Sequence, residues 1–203
     1  MPPKRRSLAA VVRAAEDVLR GNHVEHVFVG AVSVIVFGEP RTTRDVDIVA
    51  RVPEDKVADL VKHFRRKGFL ASEYDFRAAL MEGGHCSLDD SRFGPRIDLA
   101  FGGGAAAERT LRTKIAVRWH GFSIPVAAPE TTVVMKLKFG SSQDIEDAFG
   151  ILTEQWNALD FAGMRDFAAR ERVLRDLEAL EERARTSIRR RSRGRDSRQG
   201  PKG

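Results

Sequence analysis

Asp45-Val46-Asp47-Ile48-Val49 reads as a strand of strict alternation. Successive side chains of a β-strand point to opposite faces. Val46 and Ile48 therefore share one face, and Asp45 and Asp47 project together from the other. Two neighbouring carboxylates on a mainly buried strand repel each other and are costly unless a cation lies between them. A divalent metal meets that need, and carboxylate oxygens are the ligands Mg²⁺ prefers. The same pair fits equally well the solvent-exposed end of an edge strand, where two acids do no harm.

The flanking segments weigh on that choice. Upstream, His26-Val27-Phe28-Val29 reads as a short buried strand, and Gly30 opens a small and aliphatic stretch that Gly38 closes. Its length fits a short buried helix better than a strand, although periodicity alone does not decide. A glycine between strand end and helix start leaves backbone N–H groups facing an anion such as a triphosphate. Such a glycine is also common where nothing binds. Downstream, Arg96-Ile97-Asp98-Leu99 is a second alternating segment with one acid among apolar neighbours, a pattern that a surface strand also gives. Three carboxylates on two neighbouring strands beside a Gly-led helix start describe a two-metal phosphoryl-transfer site.

Lys136 lies among Val133, Val134, Met135 and Leu137, where an unpaired ammonium would be expensive. It either snorkels to the surface or serves as a phosphate-contacting cation partnered by Asp144 or Asp147. The glycines at 102–104 are better explained as a hairpin exit than as a phosphate cradle. The five histidines show no metal-ligand spacing, and His85 beside Cys86 lacks the further ligands of a zinc site.

Ser7 precedes an apolar stripe at helical spacing that Gly21 stops. A helix from Pro53 to Gly68 and another over 72–82 precede a hairpin with strands at 85–89 and 96–101. A helix over 105–113 and strands at 115–119 and 122–126 follow. From Pro129 on the pattern is helical: 129–139, 143–155, 160–169 and 171–190. The fold class expected is α+β, a mixed β-sheet core flanked by helices, with a C-terminal helical segment.

Composition excludes other classes. Hydrophobic residues make up 42% and charged residues 32%, a globular balance. The longest apolar stretch without a charge, Val27–Gly38, is too short for the ~20 residues of a membrane span. The helix after the basic N-terminus carries Arg13, Glu16 and Asp17, so it holds no apolar signal core. One cysteine, Cys86, fits a reducing, cytoplasmic setting. The formal charge of +6 is uneven. Residues 183–203 hold nine basic side chains and one acidic, leaving the preceding 182 residues at −2. The basicity belongs to the tail, which is read as disordered over 191–203 and as either a solvated end or a salt-sensitive attractor of nucleic acid.

Gly30-Ala31, then Gly38, Arg41, Thr43, Asp45 and Asp47, resembles the Gly-(Gly/Ser) plus Asp-x-Asp signature of the DNA-polymerase-β-like nucleotidyltransferase superfamily. A second run resembles the helical motif of its AbiEii-like, toxin–antitoxin-related bacterial branch: Pro129-Glu130, then Met135-Lys136-Leu137, then Asp144-Ile145-Glu146-Asp147. Ala31 stands where that family commonly has Gly or Ser. Ser141-Ser142-Gln143 stands where it often has basic residues.

The resemblance implies a nucleotidyltransferase core at 7–127 and a helical segment at 128–190 that completes the site. It implies an enzyme that moves a nucleoside monophosphate from an NTP to a hydroxyl and releases pyrophosphate. Asp45, Asp47 and Asp98 would be catalytic and hold two Mg²⁺ ions. Gly30, Ala31, Ser33, Arg41, Thr43, Lys136 and Asp144 would serve the nucleotide. The acceptors implied are tRNA, a protein hydroxyl or a small molecule, and a cognate antitoxin is an implied partner. The rival reading is a non-catalytic module of the same fold that binds nucleic acid or a partner protein through its basic tail.

Overall fold

In the computed structural model, which describes residues 5–196, the chain divides into two compact units. The first holds the chain up to Val36 together with Arg41–Ala128; the second holds Phe37–Pro40 and the chain from Pro129 on. The α+β class expected from the sequence is the class observed.

The first unit is built on seven strands: β1 (Glu25–Phe28), β2 (Asp45–Arg51), β3 (Phe69–Leu70), β4 (His85–Asp90), β5 (Arg96–Phe101), β6 (Ile115–Trp119) and β7 (Phe122–Val126). They form one mixed sheet in the order β3-β4-β5-β2-β1-β7-β6. β2 runs parallel to β5 and antiparallel to β1; β4 and β5 form the expected hairpin, and β6 pairs antiparallel with β7.

Its helices are α1 (Leu8–Gly21), α2 (Gly30–Phe37), α3 (Val57–Arg66), α4 (Glu73–Glu82) and α5 (Ala105–Arg112). Ser7 caps α1 by accepting the Ala10 N–H, and the stripe Val11, Val12, Ala15, Val18, Leu19 is buried. α1, α3 and α4 pack on the sheet face that carries Val46, Ile48, Ile97 and Leu99, all fully buried. α5 covers the opposite face, where Leu111 joins Val27 and Ala127, with Val49 packed against them. Val49 shares its face with Asp47 and Asp45, so the apolar cover lies at one end of that face and the acids at the other.

The second unit is helical: α6 (Pro129–Phe139), α7 (Ser142–Gln155), α8 (Phe161–Arg170) and α9 (Leu174–Asp196). Val133, Val134, Ile151, Leu152, Met164, Phe167 and Leu177 form its buried interior. Ser141 and Asp144 cap α7 reciprocally, each side chain accepting the other's backbone N–H.

One element is new and one expectation changes. β3 is a two-residue edge strand, shorter than any sequence period reveals. α9 begins at Leu174 and continues to Asp196, past the point where a disordered tail was expected, because the added turn is rich in Arg, a good helix former, and Gly194 is its weakest position. The rest of that tail, residues 197–203, lies outside the described residues. Among the described residues no helix is long and apolar enough to cross a membrane.

Candidate active site

β1 ends at Phe28 opposite Ile48 on β2, and the next residue, Val29, donates its N–H to the Asp47 carbonyl at 3.0 Å. The chain then turns into α2 through Gly30 at φ +56°, in the left-handed region that glycine adopts without strain. A Cβ on Gly30 would lie 2.1 Å from Asp47 Oδ2, so the carboxylate rests against the bare Cα. Glycine is demanded twice here, by conformation and by space. The strand-end glycine and the acidic strand are thus one local unit.

Asp47 and Asp98 are register partners on the parallel strands β2 and β5, and Asp45 is the partner of Arg96. Register partners share a face, so Asp45, Asp47, Arg96 and Asp98 all project from the same side of the sheet, and Ser87 of β4 joins them opposite Asp98. The three acids are half-buried. Thr43 Oγ1 donates to Asp45 Oδ1. Asp98 accepts from Ser87 Oγ on one oxygen and from Arg96 Nε, at 3.0 Å, on the other. Among the described residues no three Asp, Glu, His or Cys side chains converge on a single ion-sized point, and Arg96 is the cation lying on Asp98. The donors are nonetheless three hard carboxylates on one half-exposed face, two of them on adjacent strands, and this set suits Mg²⁺.

The remaining expected site residues take different places. Ala31 and Ser33 are buried, and the Ser33 hydroxyl donates to the Ala127 carbonyl at 3.1 Å, where it ties α2 to the end of β7. Arg41 is half-buried and donates to the Thr42 carbonyl at 3.2 Å. Thr43 orients Asp45. Gly102 is held by packing: a Cβ there would meet Val49 Cγ1 at 3.0 Å.

Lys136 and Asp144 belong to the second unit. The Lys136 ammonium does not snorkel; it is buried and paired with Asp144 Oδ1 at 2.6 Å and Asp147 Oδ2 at 3.0 Å, so it clamps α6 to α7. Gln143 Nε2 supports Asp147 at 3.1 Å. Burial pushes the Asp144 carboxyl up, but Lys136 and the Ser141 hydroxyl and amide outweigh it and hold the group below its ordinary value.

Sequence reasoning gave no role to Arg96 and passed over Ser87. Strand alternation already placed Arg96 on the Asp98 face. Ser87 was hidden because its position depends on the register of the hairpin, which the long turn between β4 and β5 leaves open.

No family model and no curated protein matches the chain. Among solved structures it is similar to the lincosamide antibiotic adenylyltransferase LnuA, crystallised with lincomycin bound, at 14% identity and a TM-score of 0.49 over 73% of this chain and 99% of that one. It is also similar to an antigenic nucleotidyltransferase-like protein from Paracoccidioides brasiliensis, at 15% identity and 0.48 over 85% and 90%. A third is the antibiotic-resistance factor ANT(2'')-Ia in solution, at 8% identity and 0.49 over 93% and 97%. These values assign no family, and the functional reading rests on the site itself.

Proposed function

We propose that the protein is a nucleotidyltransferase that moves a nucleoside monophosphate from an NTP to a hydroxyl acceptor with loss of pyrophosphate. The observation that carries this reading is the contact of Asp47 with the bare Cα of Gly30, on a face shared with Asp45 and Asp98. It couples an anion-facing helix start to a carboxylate cluster, two elements that phosphoryl transfer needs side by side.

The absent Gly30 side chain lets the Asp47 carboxylate sit beside the start of α2, whose first N–H groups carry a partial positive charge that suits a phosphate. Asp45 and Asp47, with Asp98, would hold Mg²⁺, two ions in the reading favoured here, and the metal supplies charge neutralisation at the phosphates when bound. Thr43 keeps the Asp45 carboxylate oriented, and Ser87 does the same for Asp98. Asp98 is the group we assign to accept the proton of the attacking hydroxyl, with Arg96 fixing its second oxygen. Catalysis of this kind is positioning and electrostatics, since the side chains form no covalent bond to substrate.

The motif resemblance supports the finer reading: a member of the toxin–antitoxin-related branch with a cognate antitoxin as partner. Its acceptor, in order of preference, is tRNA, a protein hydroxyl or a small molecule such as an aminoglycoside. Lys136 is retained as the nucleotide-contacting cation on the same resemblance. The test is transfer of label from each α-³²P NTP with Mg²⁺ to acceptors in a cell extract. Label should move with the wild-type chain and not with Asp47→Asn; undiminished transfer by that variant refutes the assignment.

A further inference from the structure

We infer that a groove between α7 and α9 binds single-stranded nucleic acid, with Arg183 as a stacking plane and Arg190 as a phosphate contact. Two stripes of α9 explain the groove. Leu177, Leu180 and Ala184 are buried and pack the helix into its unit. The adjoining stripe at helical spacing is Arg183, Thr186, Ser187, Arg190 and Arg191, all exposed or half-exposed. With Phe149 of α7 it lines a cavity of about 650 Å³.

Two of the three arginines lining this groove keep their charge uncancelled. Among the described residues Arg183 and Arg190 make no ion pair. Glu182, which also lines the cavity, is paired with Arg185 at 3.2 Å, and Arg191 reaches Glu154 at 3.4 Å and Glu39 at 3.9 Å. Excess positive charge beside hydroxyl donors calls for an anion.

The kind of anion follows from Arg183. Its guanidinium carbon lies over the Phe149 ring, 4.4 Å from the centroid, and the residue is exposed. A supported guanidinium plane is a surface on which a nucleobase stacks, which neither a free phosphate nor an acidic peptide would use. Arg190 lies two turns further on, about 10 Å along the axis, so base and backbone contacts are spaced along one strand of ligand. In the sequence Arg193, Arg195, Arg198 and Lys202 follow, which adds nonspecific attraction.

The experiment is fluorescence anisotropy of a labelled oligouridylate and its deoxy counterpart against the full chain, in EDTA and without NTP, over a salt series. These conditions separate the groove from the transfer reaction, and Asp47→Asn should bind as wild type does. Arg183→Ala and Arg190→Ala should each weaken binding several-fold and lower the log–log salt slope by about 0.7. Arg183→Lys should keep the slope, lose roughly tenfold in affinity for the oligonucleotides, and leave inorganic polyphosphate binding unchanged. The ribo- and deoxyribo-probes distinguish RNA from DNA, and tight binding of either supports the groove. The proposal is overturned if poly-glutamate or polyphosphate binds as tightly as the oligonucleotides. It is equally overturned if neither oligonucleotide binds, or if Arg183 and Arg190 variants stay within about twofold of wild type, which assigns binding to residues beyond the groove.

Discussion

The Cα of Gly30 and the carboxylate of Asp47 are in contact, with no room between them for a methyl group. Gly30→Ala would bring a Cβ to 2.1 Å from Oδ2 at a backbone φ of +56°. Left-handed strain and displacement together should cost about 1–3 kcal/mol of stability and at least about 100-fold in transfer. Asp47→Gly should recover part of the stability lost by Gly30→Ala and none of the activity. Urea unfolding of the four proteins of that cycle measures the coupling, and simple additivity would show that the two residues are independent.

Lys136→Met leaves Asp144 and Asp147 facing each other in a half-buried to buried setting with no cation between them. The expected loss is about 3–5 kcal/mol, the usual cost of removing one partner of a buried pair. Thermal denaturation should show a fall of many degrees, and an unchanged midpoint would mean that the clamp contributes nothing.

Asp144 is held below its ordinary value in the folded chain. Its ionised form is therefore favoured by folding, and the stability it contributes is complete above an unfolded carboxylate pKa of about 4 and lost as pH falls through the lower folded value. Wild type minus Asp144→Asn, followed by chemical denaturation from pH 6 downward, should show a stability difference that shrinks in acid. A difference that grows in acid contradicts the sign.

Cys86 sits on β4 with its side chain buried, and desolvation, followed by the charges of Asp75 and Asp98, pushes its thiol up to about 12. Thiolate is the reactive form, so the native protein should resist iodoacetamide at pH 8 and react after unfolding. Rapid native labelling would show that β4 opens readily.

The strand alternation at Asp45–Val49 and Arg96–Phe101 was legible because period 2 has one reading when one face is apolar. It located both acidic strands and, with them, the face that holds the candidate site. The pairing of Asp47 with Asp98 was not legible, since register across fifty residues is set by the packing of the whole sheet. Ser33 shows the opposite difficulty. Its place in a Gly-Ala-Val-Ser run suggests a phosphate ligand, but on α2 it falls on the buried side, where its hydroxyl serves the Ala127 carbonyl. Lys136 was legible as a cation needing partners; that it would find both candidate acids at once depends on the turn joining α6 and α7.

The parallel pairing of β2 with β5 has a kinetic implication. Two carriers of acidic groups, separated in sequence by α3, β3, α4 and β4, become neighbours only after the intervening chain has closed a long loop, a slow entropic step. A truncated or half-made chain ending before Asp98 holds Asp45 and Asp47 without their neighbour, so the candidate acidic face is incomplete until β5 has been added.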